Sequence, residues 1–213
     1  GKFILAGGER LWERLHFLRG YENTMADLAW GDSHLLSLIR LIVEYNLEAM
    51  RKYLRYPEVD GIVFGDDWGE QNRLMISPRM WREYFFEGYR QMFQAVKQAG
   101  RVVYFHTDGY LLPIVPDLIE AGADVINLQS RPNSLQGIRQ TCLRKVCVSV
   151  DLDRQYIMPW GAPEEVKSHV REIYATLEGW NGGVWVKAGI FPDMPLKNIL
   201  AMCEVFEELR QTM

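Results

Sequence analysis

A chain of 213 residues, 48% hydrophobic and 24% charged, has ample material for a packed core and is neither disordered nor fibrous. Its 28 acidic against 24 basic side chains leave a formal net charge of −4, which excludes a polybasic nucleic-acid binder. No apolar run reaches the roughly 18 residues of a membrane span, and no secretory leader is visible, so the expected class is a cytoplasmic globular protein, one domain over residues 1–213, acting as an enzyme or a binding module.

The chain opens on Gly1 rather than Met and runs directly into an apolar stretch, so a trimmed start is expected, with a strand over residues 3–6. A helix over 34–56 places Leu35, Ile39, Ile42, Met50 and Leu54 near one stripe. A short apolar run predicts a strand over 61–65, followed by an irregular stretch, 66–77. Ser77-Pro78 is a helix start, with a cap residue before a proline at the first helical position. The helix it opens carries Trp81, Phe85, Met92 and Val96 and stops near Gly100. Strands follow over 102–106, 124–128, 146–150 and 183–187, with irregular stretches at 129–133, 151–162 and 188–195. Between them Pro163 opens a helix with Val166, Val170, Ile173 and Leu177, and a last helix from Leu196 carries Ile199, Cys203, Phe206 and Leu209. Cys142, Cys147 and Cys203 are scattered, with no CxxC pair, and read as reduced thiols acting as small buried hydrophobes.

Six strands alternating with helices predict a parallel α/β sheet. Two forms compete. A doubly wound fold has no support from a nucleotide fingerprint, because neither GxGxxG nor GxxxxGK[ST] is present. A (β/α)8 TIM barrel would be about two βα units short at the N-terminus. In either form ligands bind at the C-terminal ends of the strands, where the irregular stretches lie.

The polar residues at those ends are therefore the candidate site. Asp66, Asp67, Trp68 and Gln71 follow the second strand; His106, Thr107 and Asp108 close the third, with Tyr104 just before. Asn127 and Gln129 close the fourth, Asp151 and Asp153 follow the fifth, and Lys187 ends the sixth. Adjacent carboxylates in one cleft would repel and raise a pKa, favouring acid/base work or cation binding. An H-x-D at a strand tip puts both side chains on one side of the chain, so they can share a metal or pair as an oriented acid/base. Trp68 and Tyr104 either line a pocket or pack, and Lys187 binds a carboxylate or pairs with an acid of the site. His16, His34 and His169 fall in helical segments and read as surface or packing residues.

The order and spacing of several of these segments resemble the uroporphyrinogen decarboxylase superfamily. They are Asp66-Asp67-Trp68-Gly69 with Gln71 and Ile76-Ser77-Pro78; Phe105-His106-Thr107-Asp108-Gly109; the run from Pro116 to Asp124; Asp153 with Gln155; Gly161 to Val166; and Pro195 with Asn198-Ile199. The likeness runs from about Gly8 to the C-terminus. It implies a TIM barrel of about six βα units, with the N-terminal strands absent and the site at the C-terminal mouth. The superfamily implies two activities: cofactor-free decarboxylation of uroporphyrinogen, and methyl transfer involving a corrinoid protein, usually zinc-assisted. A late histidine of the decarboxylases would fall near Ala188-Gly189, where none stands. The zinc-binding H-x-C of the methyltransferases is matched only at His106, with Asp108 in the second position and Ala188 or Gly189 where a later cysteine would be, so a zinc–thiolate site is not expected.

What remains is His106 amid Asp66, Asp67, Asp108, Asp151 and Asp153, a set suited to a harder divalent metal, an oxygen-rich zinc site or metal-free acid/base chemistry. The resemblance thus implies corrinoid-linked methyl transfer from a small methylated donor, such as a methyl ether or a methylamine. His106, Asp108 and Asp67 would be catalytic, with His106 and Asp108 as metal ligands; Asp66, Trp68, Gln71, Tyr104, Gln129, Asp153 and Lys187 would bind substrate. The expected partners are a small-molecule substrate, a corrinoid protein and a homodimer mate, with no nucleic acid and no membrane. The alternatives are uroporphyrinogen decarboxylation without a cofactor, and a non-catalytic binding barrel.

Overall fold

In the computed structural model, which describes residues 1–212, six strands alternate with helices. The strands are β1 (Leu5–Glu9), β2 (Gly61–Gly65), β3 (Val102–His106), β4 (Val125–Gln129), β5 (Cys147–Asp151) and β6 (Val184–Lys187). Their order in the sheet is their order in the chain, β1-β2-β3-β4-β5-β6, and the pairs β1/β2, β2/β3 and β5/β6 are parallel. This is the connectivity of a (β/α)8 barrel, of which six βα units are present. The near-continuous apolar runs of β2 to β5 follow from burial on both faces of a parallel sheet. The chain forms two compact units, Gly1–Ile126 and Asn127–Met213, and the boundary falls within β4.

In the first unit β1 leads into α1 (Trp12–Arg19), α2 (Tyr21–Trp30) and α3 (Ser33–Tyr53). The strand expected at 3–6 lies instead at Leu5–Glu9, because a bulge between Gly7 and Glu9 extends its pairing with β2. Of the stripe read from the sequence, Leu35, Ile39, Ile42 and Met50 are buried. After β2, the Ser77 hydroxyl accepts from the Met80 N–H and opens α4 (Pro78–Trp81). A π-helical turn, Arg82–Phe86, separates it from α5 (Glu87–Gln98). The wider turn rotates the buried face, so Tyr89 and Phe93 join the expected Trp81, Phe85, Met92 and Val96 in the core. After β3 comes α6 (Val115–Ala121).

The second unit holds α7 (Ser130–Asn133), α8 (Leu135–Cys142), α9 (Ile157–Trp160), α10 (Pro163–Thr176) and α11 (Leu196–Thr212). Single helical turns, α7 and α9, thus occupy parts of two stretches expected to be irregular. The stripe of α10 is as expected, with Val166, Val170, Ile173 and Leu177 buried. That of α11 is turned by about one residue. Ala201, Met202, Val205 and Leu209 are buried, while Cys203 is exposed. The cause is Asn198, fully buried, whose amide donates to the carbonyls of Met158 and Gly161, both at 2.9 Å, and so fixes which face turns inward. Cys142 is buried as expected, and burial pushes its thiol up to about 12. No helix among the described residues is long and apolar enough to cross a membrane.

Candidate functional site

Two strand tips of the first unit are locked together by their loops. Parallel pairing puts Gly65 opposite His106. Beyond it the Asp66 N–H donates to the His106 carbonyl, the Trp68 N–H to the Thr107 hydroxyl at 3.1 Å, and the Gly69 N–H to the Asp108 carbonyl. The Tyr110 N–H returns a bond to the Glu70 carbonyl at 2.7 Å. Gly69 and Gly109 meet backbone to backbone, and Gly109 has a φ of +81°, so no side chain fits at this crossing.

This lock fixes Asp67, His106 and Asp108. Asp67 Oδ1 accepts the Asp108 N–H at 2.8 Å and lies 4.0 Å from His106 Nε2, while Asp108 Oδ1 lies 3.8 Å from the same nitrogen. The H-x-D reading is thereby met: both side chains stand on one side of the strand end. Each of the three offers one ligand atom, and these atoms all lie within 4.8 Å of one another. One imidazole and two carboxylates are a donor set that would fit a zinc ion richer in oxygen ligands or a harder divalent metal, and equally an oriented acid/base group.

Asp66 does something else. It is fully buried and accepts from the Leu11 N–H at 2.7 Å, the Glu13 N–H at 2.9 Å and the Tyr89 hydroxyl at 2.6 Å. It therefore caps α1 rather than binding substrate. Burial pushes its carboxyl up against the pull of these donors. The Tyr89 hydroxyl is itself held well above its ordinary range, first by burial and then by Asp66, so it stays a donor. Trp68, also expected at the substrate, is fully buried. It stacks on Trp12 at 4.7 Å, and its indole N–H donates to Tyr89 at 2.9 Å. Both residues flank Asp67 in the chain and are anchored in the core. Tyr104 is buried in β3, and Gln71 is exposed on the loop after β2.

Two acids of this unit escape a sequence reading. Glu13 sits on the first turn of α1, paired with Arg10 at 2.6 Å; burial raises its pKa, and the charges of Asp66, Asp67 and His106 act on it. Glu9 is the tip of β1, 6% exposed, with its pKa raised by burial against the pull of Arg14. The signal for Glu9 was a strand end, hidden because the bulge carries β1 three residues further than its apolar run.

In the second unit Asn127 is buried in the middle of β4, where its amide donates to the Ser149 carbonyl at 2.7 Å and to Asp151 at 3.0 Å. Its oxygen accepts from Lys187 Nζ at 3.3 Å. Gln129 is buried at the end of the same strand. Asp153, expected to bind substrate, instead orders its own loop. Its carboxylate accepts from the backbone of Gln155 and Tyr156 at 3.0 and 2.9 Å and from Arg131 at 2.9 Å. The Arg131 guanidinium lies over the Tyr156 ring at 3.7 Å. His169 Nε2 accepts the Asp153 N–H at 3.3 Å, and burial lowers the pKa of this imidazole. His16 packs against Trp12 and Tyr21, and His34 is exposed beside Asp32.

An open cavity of about 500 Å3 lies along the loop after β2, lined among others by Arg73, Met75, Ile76, Tyr110 and Pro113. None of Asp67, His106 and Asp108 lines it.

The family model described as Uroporphyrinogen decarboxylase (URO-D) matches residues 15–209. A search of curated proteins finds no match. Among solved structures, a methyltransferase from Methanosarcina mazei is similar over 98% of this chain and 59% of its own, with a TM-score of 0.76 and 17% identity. The 7,8-dihydropteroate synthase from Vibrio fischeri ES114 is similar over 81% of this chain and 63% of its own, with a TM-score of 0.52 and 15% identity. A dihydropteroate synthase from Xanthomonas albilineans covers 76% and 62%, with a TM-score of 0.51 and 15% identity. At these identities the likeness is one of fold. The chain spans less than two thirds of the length of each of these structures.

Proposed function

The chain belongs to the uroporphyrinogen decarboxylase family, and from that membership we propose that it is a methyltransferase, moving a methyl group from a small methylated donor to a corrinoid carried by a partner protein. The observation that carries this reading is the cluster of Asp67, His106 and Asp108 at two adjacent strand tips. The fold shared with the Methanosarcina methyltransferase supports it.

Removing a methyl group from an ether or a protonated amine breaks the bond between carbon and the heteroatom, and the electron pair stays on the heteroatom. An alkoxide leaves poorly unless it is protonated or polarised. His106 is placed to supply that proton, with Asp67 and Asp108 oxygens within 4.0 Å of Nε2 to orient the ring. A divalent metal held by the same three residues would polarise an ether oxygen instead, and the corrinoid would supply the nucleophile that accepts the methyl group. Asp66 and Trp68, on either side of Asp67 in the chain, are anchored in the core by Tyr89.

Decarboxylation of uroporphyrinogen, favoured by the family's description, is the second reading. The acidic tips of the first unit oppose it, since that substrate is a polyanion and Asp67, Asp108 and Glu13 would repel its carboxylates.

The test is methyl transfer to cob(I)alamin, followed by its absorbance, across a panel of methyl ethers and methylamines with a cognate corrinoid protein present. Elemental analysis runs beside it. Transfer is expected in the wild type and is expected to fall at least about a hundredfold in His106→Ala, with any bound metal lost in that variant. No transfer across the panel, or formation of coproporphyrinogen from uroporphyrinogen, would overturn the assignment.

A further inference from the structure

The second unit carries a polar constellation that methyl transfer at Asp67, His106 and Asp108 does not require. We propose that Lys187 and Trp185, seated by Asn127 and Asp151, form a binding site for a small aromatic carboxylate.

The site is built by strand register. In the parallel pair β5/β6, Ser149 is opposite Trp185 and Asp151 is opposite Lys187. Alternation along each strand then puts all four side chains on one face. Asn127, at 1% exposure, adds a rigid seat. Both bonds donated by its amide are fixed, to the Ser149 carbonyl and to Asp151, so its oxygen is the remaining acceptor, and Lys187 Nζ takes it. The ammonium of an exposed lysine is thus held in position by a buried neutral group.

Its charge is not matched by an ion pair. Among the described residues no carboxylate lies within 4.0 Å of Lys187 Nζ. Asp151 is its direct neighbour across the ladder, but that carboxylate is buried and engaged with Asn127. An ammonium has three donors, and one is used here. The other two point to an acceptor from outside, and an anionic oxygen gives the strongest bond.

Two features narrow the ligand. Asp151 is opposite Lys187 across the ladder, so each further negative charge on a ligand adds repulsion, and a monoanion is favoured over a dianion such as phosphate. Trp185, two residues earlier on the same face, is 39% exposed and offers an indole surface about 7 Å along the strand. A flat ring bonded directly to its carboxylate can stack on the indole while the carboxylate meets Lys187.

The probe is benzoate, titrated by calorimetry into the full chain, with acetate and inorganic phosphate alongside. Benzoate is expected to bind at least about tenfold tighter than either. Lys187→Met is expected to weaken benzoate binding by about tenfold or more, Lys187→Arg to keep it within a few-fold, and Trp185→Leu to bring benzoate down to the level of acetate. A second readout does not depend on the lysine variants folding. The indole N–H resonance lost in Trp185→Phe is expected to shift when benzoate is added to the wild type. No shift, unchanged benzoate binding in a folded Lys187→Met, or tighter binding of phosphate than of benzoate would overturn the proposal. The methyl-transfer assignment is carried by Asp67, His106 and Asp108 and would be untouched by that failure.

Discussion

At the scale of single residues, the acids of this chain divide by what their oxygens already hold. Asp66 and Asp153 have their acceptor sites filled by backbone and side-chain donors, so they organise loops. Asp67 and Asp108 keep oxygens turned to His106. Losing a carboxylate such as Asp66 would strand several buried donors, at about 1–3 kcal/mol each, which explains why an acid is kept in a core position. His169 contributes acid sensitivity to the second unit. Burial holds its pKa below the ordinary 6.5, against the opposing charges of Asp153 and Glu172. Its Nε2 accepts the Asp153 N–H, and Ser130 Oγ lies 3.5 Å away, so protonation there breaks the bond. The folded state binds fewer protons than the unfolded chain in this window. The contribution to stability is therefore full above 6.5 and is lost as pH falls through the lower folded value. Melting temperatures measured from about pH 7.5 to about pH 5.5 are expected to drop in the wild type. The slope attributable to this residue is expected to vanish in His169→Gln; equal slopes in both would refute the assignment.

At the scale of elements, the loops after β2 and β3 behave as one piece. Their crossing at Gly69 and Gly109 leaves no room for a Cβ, and Gly109 also has a left-handed backbone. Gly109→Ala therefore imposes strain of about 1–3 kcal/mol and pushes Asp108 off the position from which its N–H meets Asp67. The expected outcome is a lower urea midpoint together with loss of transfer and of any bound metal, as in His106→Ala. A variant that keeps its full stability and its transfer would mean that the crossing does not set the cluster. The π-helical turn between α4 and α5 works at the same scale, since it delivers Tyr89 to Asp66. Its effect was not legible from a helical stripe of constant period, although the Ser77-Pro78 start and the buried Trp81, Phe85, Met92 and Val96 were.

At the scale of the whole molecule, each unit leaves large apolar side chains in solvent. On the first these include Phe17 and Leu18 of α1, Trp30 at the end of α2, and Leu41 of α3; on the second, Trp160, Ile190 and Leu196. Apolar surface on this scale favours association. Light scattering is expected to give a mass above that of one chain, rising with concentration and salt, and Trp30→Glu is expected to shift the balance toward the monomer. A monomer at every concentration would show that these groups are tolerated in water.

The sequence by itself determined the alternation of six strands and helices, the parallel α/β class and the strand-tip location of His106 and Asp108, because hydrophobic period and cap residues are local properties. It also carried the family likeness, in the order of its motifs. Only the tertiary structure decided which acids organise loops and which face His106, how far β1 extends past its bulge to Glu9, which face of α11 turns inward around Asn198, and that Lys187 is seated on Asn127 sixty positions away. Each of these depends on a partner distant in the chain, and the choice of partner is fixed by packing rather than by any pattern among neighbours.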